Sequence, residues 1–193
     1  HGTGRIAVVT NRIPLLLHVC CAPCMTVVKK ALSREGFRVT AFFYNPNIHP
    51  FKERQRRLDA LNAFSESEEI PLEIVESYPL EENIRMLLEA ENRCFACFED
   101  RLSVTAEKAD EMGIYAFSTT LSVSPYQNQE LIKRAGEKAS YNTGVEFIYR
   151  DYRDLYKDSV SISRENDIYR QPYCGCVFSE RDRYLSIKSP GML

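Results

Sequence analysis

Five short apolar runs alternate with stretches of helical periodicity along this chain of 193 residues, and that alternation limits the fold more than any other feature. PLLLHV (14–19), FRVTAFFY (37–44), PLEIVE (71–76), IYAFST (114–119) and VEFIYRDY (145–152) read as strands, each short, apolar and bounded by turn residues. Between them, helical patterns run from Pro23 through MTVVKKALSRE to Gly36, along FKERQRRLDALNAFSESEE, and along QELIKRAGEKASYN to Gly144. ENIRMLLEAENRCFACFEDRLSVTAEKADEMG is long enough for two helices ending at Gly113. This order predicts an α/β fold of three layers around a mostly parallel sheet, with a cysteine-bearing helical segment. Past Tyr152 the pattern weakens. No repeat, low-complexity tract or linker divides the chain, so 1–193 reads as a single α/β domain, with HGTG (1–4) set aside as tag-derived.

Hydrophobic residues make up 44% and charged residues 27%, yet no apolar run approaches the ~18 to 20 residues a membrane helix needs, so no membrane role is expected. A cytoplasmic setting follows, where thiols stay reduced. There the seven cysteines read as metal ligands or redox groups rather than as a disulfide framework. A net charge of -2 gives no overall attraction to nucleic acid. KERQRR (52–57) and RDYR (150–153) read first as solvated helix faces and second, with the later RDR (181–183), as local phosphate contacts.

In open α/β sheets ligands gather beyond the carboxyl ends of the strands. The loops after strands one, two and four are HVCCAPC, YNPNIHP and STTLSVSPYQ, and they should share one rim. The first contains no glycine, so the usual phosphate cradle is missing and ATP use is disfavoured. Thiols stand in its place. Cys21 and Cys24 are three apart at a helix start, where the helix dipole favours thiolate, and Cys94 and Cys97 repeat that spacing. Together with Cys20 they suit structural zinc or an iron-sulfur cluster, and spacing does not separate the two. Cys174 and Cys176 flank Gly175 and could form a strained, labile disulfide or ligate a metal jointly. His18 lies in the first apolar run and reads as a hydrogen-bonded core residue as readily as a ligand. The rim loops contribute Tyr44, Asn45, His49, Ser118, Thr119, Thr120 and Tyr126 as candidate substrate contacts, although tyrosines such as Tyr126, Tyr152, Tyr156 and Tyr173 also suit ordinary packing.

LLLHVCCAPC, FYNPNIHP, RCFACFEDRL, FSTTLSVSPYQ and RQPYCGC, in that order, resemble the QueH type of epoxyqueuosine reductase from about Leu15 to Cys176. The resemblance implies a HUP or Rossmann-like nucleotide-binding fold and a cobalamin-independent oxidoreductase. Its substrate would be tRNA carrying epoxyqueuosine, reduced to queuosine at the wobble nucleotide with electrons from an external donor. It implies a 4Fe-4S cluster on Cys20, Cys21, Cys94 and Cys97, a redox-active Cys174 and Cys176 pair, and a second mononuclear iron near Cys24, Cys174 and Cys176. The alternative from another class is a zinc-stabilised RNA-binding module without turnover. An ATP-dependent tRNA-modifying enzyme ranks last, for want of the glycine-rich loop.

Overall fold

The computed structural model describes residues 12–185, so the tag reading of residues 1–4 lies outside it. Five parallel strands form one sheet in the order β3-β2-β1-β4-β5. They are β1 (Ile13–His18), β2 (Phe37–Phe43), β3 (Leu72–Ile74), β4 (Ala116–Thr119) and β5 (Glu146–Phe147). Among the described residues there are seven α-helices, α1 (Ala22–Arg34), α2 (Phe51–Ser67), α3 (Leu80–Glu89), α4 (Arg93–Glu111), α5 (Gln129–Thr143), α6 (Tyr156–Glu165) and α7 (Val177–Tyr184), and two short 3-10 turns, Thr120–Val123 and Arg153–Leu155. The sheet is parallel throughout, as the strand and helix alternation requires.

Strand β1 is central because its side chains are apolar on both faces. Leu15 and Leu17 join Val39, Ala41 and Phe43 in a core shared with α1 and α2, while Leu16 joins Phe42 and Phe117 in a second core with α4 and α5. Each buried leucine contributes about 1.5–3 kcal/mol. Side chains alternate along a strand, so His18 falls on the face of Leu16, toward α4. His18 aligns with Phe42 on one side and with Thr119 on the other. Three strands therefore end in line, and the loops they release start from one rim.

The sequence pattern fades after Tyr152 for a physical reason. Helix α6 packs on α1, but among its buried residues are Ser159 and Ser163, whose hydroxyls donate to backbone carbonyls one turn back. Helix α7 buries Asp182 rather than an apolar stripe. Helix α7 therefore does not advertise itself by hydrophobic periodicity. The solvated-face reading of KERQRR also needs correction: Lys52 and Arg56 are exposed, but Glu53, Arg54 and Arg57 are buried. Arg54 donates from Nη2 to the Val75 carbonyl at 2.7 Å, and Arg57 pairs with Glu53 at 2.8 Å. Burial of these charges is possible because each has a partner of fixed geometry.

Gly136 sits inside α5, where glycine costs about 1 kcal/mol relative to alanine. Its reason is close packing, since an added Cβ would fall 2.0 Å from a ring carbon of Phe147. That ring is itself held against Phe117, with centroids 5.0 Å apart. Gly136→Ala should therefore destabilise the protein by about 1 kcal/mol net, overpacking outweighing the gain in helix propensity. A lower urea midpoint would confirm the packing account, and an unchanged or higher one would refute it.

Candidate metal centre

One guanidinium organises the rim. Arg101 is 2% exposed, and it reaches from α4 to donate from Nε to His18 Nε2 at 3.3 Å and from Nη2 to Asn45 Oδ1 at 2.8 Å. Its Nη1 lies 3.6 Å from Cys97 Sγ, one helical turn earlier. His18 Nε2 also lies 3.2 Å from the Tyr44 carbonyl, and Nδ1 lies 3.0 Å from Thr119 Oγ1, so both ring nitrogens have hydrogen-bond partners. Burial, and then the nearby Arg101 charge, lower the His18 pKa to about 3, which keeps the ring neutral. His18 is thus a hydrogen-bonded core residue. Asn45 adds a bond from Nδ2 to the Val19 carbonyl at 2.9 Å, closing the link between the loops after β1 and β2.

The chain after β1 turns into α1 at Cys21, its N-cap, and brings three thiols together: the sulfurs of Cys20, Cys21 and Cys24 all lie within 4.8 Å of one another. Cys20 Sγ is 3.8 Å from Cys21 Sγ and 3.6 Å from Thr120 Oγ1, and its backbone N–H donates to the same hydroxyl at 3.3 Å. S–H donation from Cys21 and Cys24 holds the Cys20 thiol well below its ordinary pKa. The hydrogen bond with Cys20 pushes Cys21 up to about 12 and Cys24 upward as well. The spacing of Cys21 and Cys24 at a helix start pointed to this group, and the structure places Cys24 inside it.

A second wall comes from the start of α4, capped by Asn92, whose side chain accepts from the Phe95 N–H at 3.0 Å. Cys94 and Cys97 stand one turn apart there. Burial pushes Cys97 up to about 11 against the pull of Arg101, and burial followed by the Cys174 charge raises Cys94. The third thiol group is clamped by its backbone. Arg57 donates to the carbonyls of Cys174 at 2.9 Å and Tyr173 at 3.1 Å, and the His49 N–H donates to the Gly175 carbonyl at 2.8 Å. Gly175 has φ +122 and lies so close to Ile48 that a Cβ would come within 2.9 Å of its Cγ1. Cys174 is exposed, whereas burial and then the Cys174 charge push Cys176 up to about 12. All seven cysteines are free, so of the two readings of Cys174 and Cys176, a disulfide or joint metal ligation, the disulfide is not supported.

The candidate substrate contacts divide into two sets. Asn45, Ser118 and Thr119 are buried, with side chains spent on the scaffold: Ser118 donates to the Ile148 carbonyl at 2.7 Å and Thr119 serves His18 and the Leu121 N–H. Thr120 is buried against Cys20. His49 is also buried, its Nδ1 accepting from the Val177 N–H at 3.3 Å while Nε2 has no hydrogen-bond partner. Tyr44 is half-buried and donates to Asp100 Oδ1 at 3.3 Å, and Tyr126 is 64% exposed with its ring edge toward Tyr156. Sequence reasoning missed Arg101, Asp100 and Arg57. Its one available signal was helical spacing, which puts Arg101 four residues after Cys97 and Arg57 four after Glu53. A groove of about 770 Å³ between α2 and α6 contains none of these residues.

Two outcomes follow from this geometry. Arg57→Ala should lower unfolding free energy by about 3–5 kcal/mol in urea titration, because Glu53 stays buried with only the Tyr169 hydroxyl at 2.6 Å. Loss of less than about 1 kcal/mol would mean that the buried pair is not structural. In metal-free protein at pH 8, iodoacetamide should modify exposed Cys174 before Cys97 and Cys176, whose raised pKa values, about 11 and about 12, leave little thiolate. Raising the pH toward 11 should speed the latter two, and equal rates for all three at pH 8 would contradict the burial.

A profile of the family described as "Epoxyqueuosine reductase QueH" matches residues 15–182. The Epoxyqueuosine reductase QueH of Dehalococcoides mccartyi is 41% identical over 177 residues, covering 91% of this chain and 97% of that protein. The protein of the same name from Thermotoga maritima is 37% identical over 180 residues, covering 88% of this chain and 91% of its own length. Among solved structures, the U34-tRNA thiolase NcsA from Methanococcus maripaludis with its [4Fe-4S] cluster superposes with a TM-score of 0.58 at 17% identity, over 98% of this chain and 70% of that one, a likeness of fold. With its matched segment running from β1 to α7 and including every cysteine described above, the chain belongs to the epoxyqueuosine reductase QueH family.

Proposed function

We propose that this chain reduces epoxyqueuosine to queuosine at the wobble nucleotide of tRNA anticodons, the last step of queuosine formation. One observation carries the reading beyond the family name: three thiol groups converge on a single sheet rim, with Cys20, Cys21 and Cys24 within 4.8 Å of one another. Converting an epoxide to an alkene takes up two electrons and two protons, breaks both carbon–oxygen bonds and releases the oxygen as water. The electrons come from an external donor, since the reaction is repeated and the chain is not consumed.

The donor set fits an iron-sulfur centre, because thiolates are the ligands such clusters take and every cysteine here is reduced. In our reading Cys20, Cys21, Cys94 and Cys97 hold a 4Fe-4S cluster, while Cys24, Cys174 and Cys176 hold a second iron, without cobalamin. When bound, the cluster supplies electrons singly and the iron a Lewis acid for the epoxide oxygen. The protein's own part is placement. Arg101 orients Cys97, Arg57 and the His49 backbone fix the Cys174–Cys176 turn, and Thr120 holds the Cys20 backbone. Tyr44, His49 and Tyr126 are the rim residues we assign to the substrate nucleotide, with exposed cations for its phosphates. Among the described residues no helix is long and apolar enough to cross a membrane, and we place the reaction in the cytoplasm with its tRNA.

One observation favours the zinc module: two sulfurs on one tetrahedral zinc lie about 3.8 Å apart, which the Cys20 and Cys21 sulfurs match at 3.8 Å. The reductase reading prevails because the family is named for reduction and a structural zinc leaves the remaining thiols unexplained. Anaerobic reconstitution followed by iron, zinc and sulfide analysis decides between them. We expect about four irons and four sulfides per chain, with further iron reporting the second site. Cys97→Ala should lose the cluster and turnover on epoxyqueuosine tRNA. One tightly held zinc without sulfide, or full activity of that variant, would overturn the proposal.

A further inference from the structure

Arg101 carries a buried positive charge that, among the described residues, is not neutralised by direct ion pairing. Among the described residues no carboxylate forms an ion pair with it, and its hydrogen-bond partners are a neutral imidazole, a neutral amide oxygen and the sulfur of Cys97. Of the two other buried arginines, Arg57 is paired with Glu53 at 2.8 Å, whereas Arg54 also lacks an ion pair and donates to the Val75 carbonyl, away from the thiols. An unpaired cation buried in this way costs several kcal/mol unless an anion stands beside it. The anionic groups near it are the Asp100 carboxylate, which feels its charge without pairing with it, and the thiolates, and the guanidinium points one of its donors at Cys97.

We infer that Arg101 is a positioning residue that sets the reduction potential of the metal centre, through its charge and its donation to Cys97. The inference rests on the reading that Cys97 ligates an iron-sulfur cluster. A one-electron donor of low potential adds one negative charge to such a cluster. A fixed cation beside the sulfur stabilises that added charge, and a hydrogen bond to the sulfur withdraws electron density from the iron, so both raise the potential. His18 and Asn45 leave the guanidinium no other orientation, because they occupy its Nε and Nη2 donors. The charge of Cys20, across the rim, also acts on it. The charge of Cys174 acts on it as well, so the device spans both walls of the site and reaches the Cys174–Cys176 turn, where Arg57 hydrogen-bonds only to backbone carbonyls and Glu53.

The test uses full-length protein reconstituted anaerobically as wild type, Arg101→Gln and Arg101→Lys. Iron and sulfide are counted first, and the cluster is then titrated with dithionite in the presence of mediators, followed by electron paramagnetic resonance. At a fixed potential we expect the reduced-to-oxidised ratio of Arg101→Gln to fall about tenfold, equivalent to about 59 mV for a one-electron couple. Arg101→Lys, which keeps the charge but cannot hold three partners at once, should fall about threefold. A residue with a merely structural role would lower iron content and leave the potential of the remaining clusters unmoved; that result overturns the inference. If Arg101→Gln fails to fold or load, Arg101→Lys decides, and a wild-type potential there overturns it equally. Wild-type protein that binds no sulfide would instead sink the reductase reading itself, an outcome visible before any titration.

Discussion

The Arg101 fork is the contact on which the site depends. Its three donors go to the end of β1, the loop after β2 and its own helix, and His18 passes the connection on to β4. Parallel strands can end in line without their loops being held together, since the ladder bonds stop at the strand ends. Here a planar group with fixed donor directions does the holding. Removing it would leave His18 Nε2 and Asn45 Oδ1 buried without the donor they share, so the arrangement is cooperative: each partner is buried because the others satisfy it.

A second arginine solves a different problem. The segment carrying Cys174 and Cys176 has no strand to anchor it and reaches the site late in the chain. Arg57 grips it by two carbonyls, with its charge balanced by Glu53 and Glu53 in turn bonded to the Tyr169 hydroxyl. The grip is on backbone, so the thiols stay free for other chemistry. Division of labour between the two arginines follows from their partners: one is neutralised and structural, the other is left positive next to sulfur.

Much of the fold was legible before any coordinates. Parallel strands buried on both faces produce continuous apolar runs, and PLLLH is such a run, so β1, β2 and β4 could be read and their loops assigned to one rim. The rim was legible too, because thiols in a cytoplasmic setting have few other uses. What stayed hidden was polar burial. KERQRR reads as a solvated face because a sequence shows charge but not the Glu53, Cys174 and Tyr173 atoms that satisfy it. Helix α6 was hidden in part by Ser159 and Ser163 at its buried face. The Cys174 and Cys176 pair was read as a disulfide or a ligand pair, and only coordinates show two free thiols.

The absence of glycine from the first loop acquires a physical meaning once α1 is in place. Its N-terminus carries unsatisfied N–H groups and partial positive charge, which in glycine-rich versions of this architecture face a phosphate. Here the N-cap is Cys21, no side chain caps the helix, and no acidic residue occupies the first turn. Sulfur takes the position that phosphate oxygen would take, and Cys20, next to the helix start, is the thiol of the trio whose pKa is lowered. Pro23 lies in the first turn, where a missing N–H is least costly. The helix start that faces a phosphate in glycine-rich versions of this architecture is thus bordered here by cysteine side chains at the end of β1.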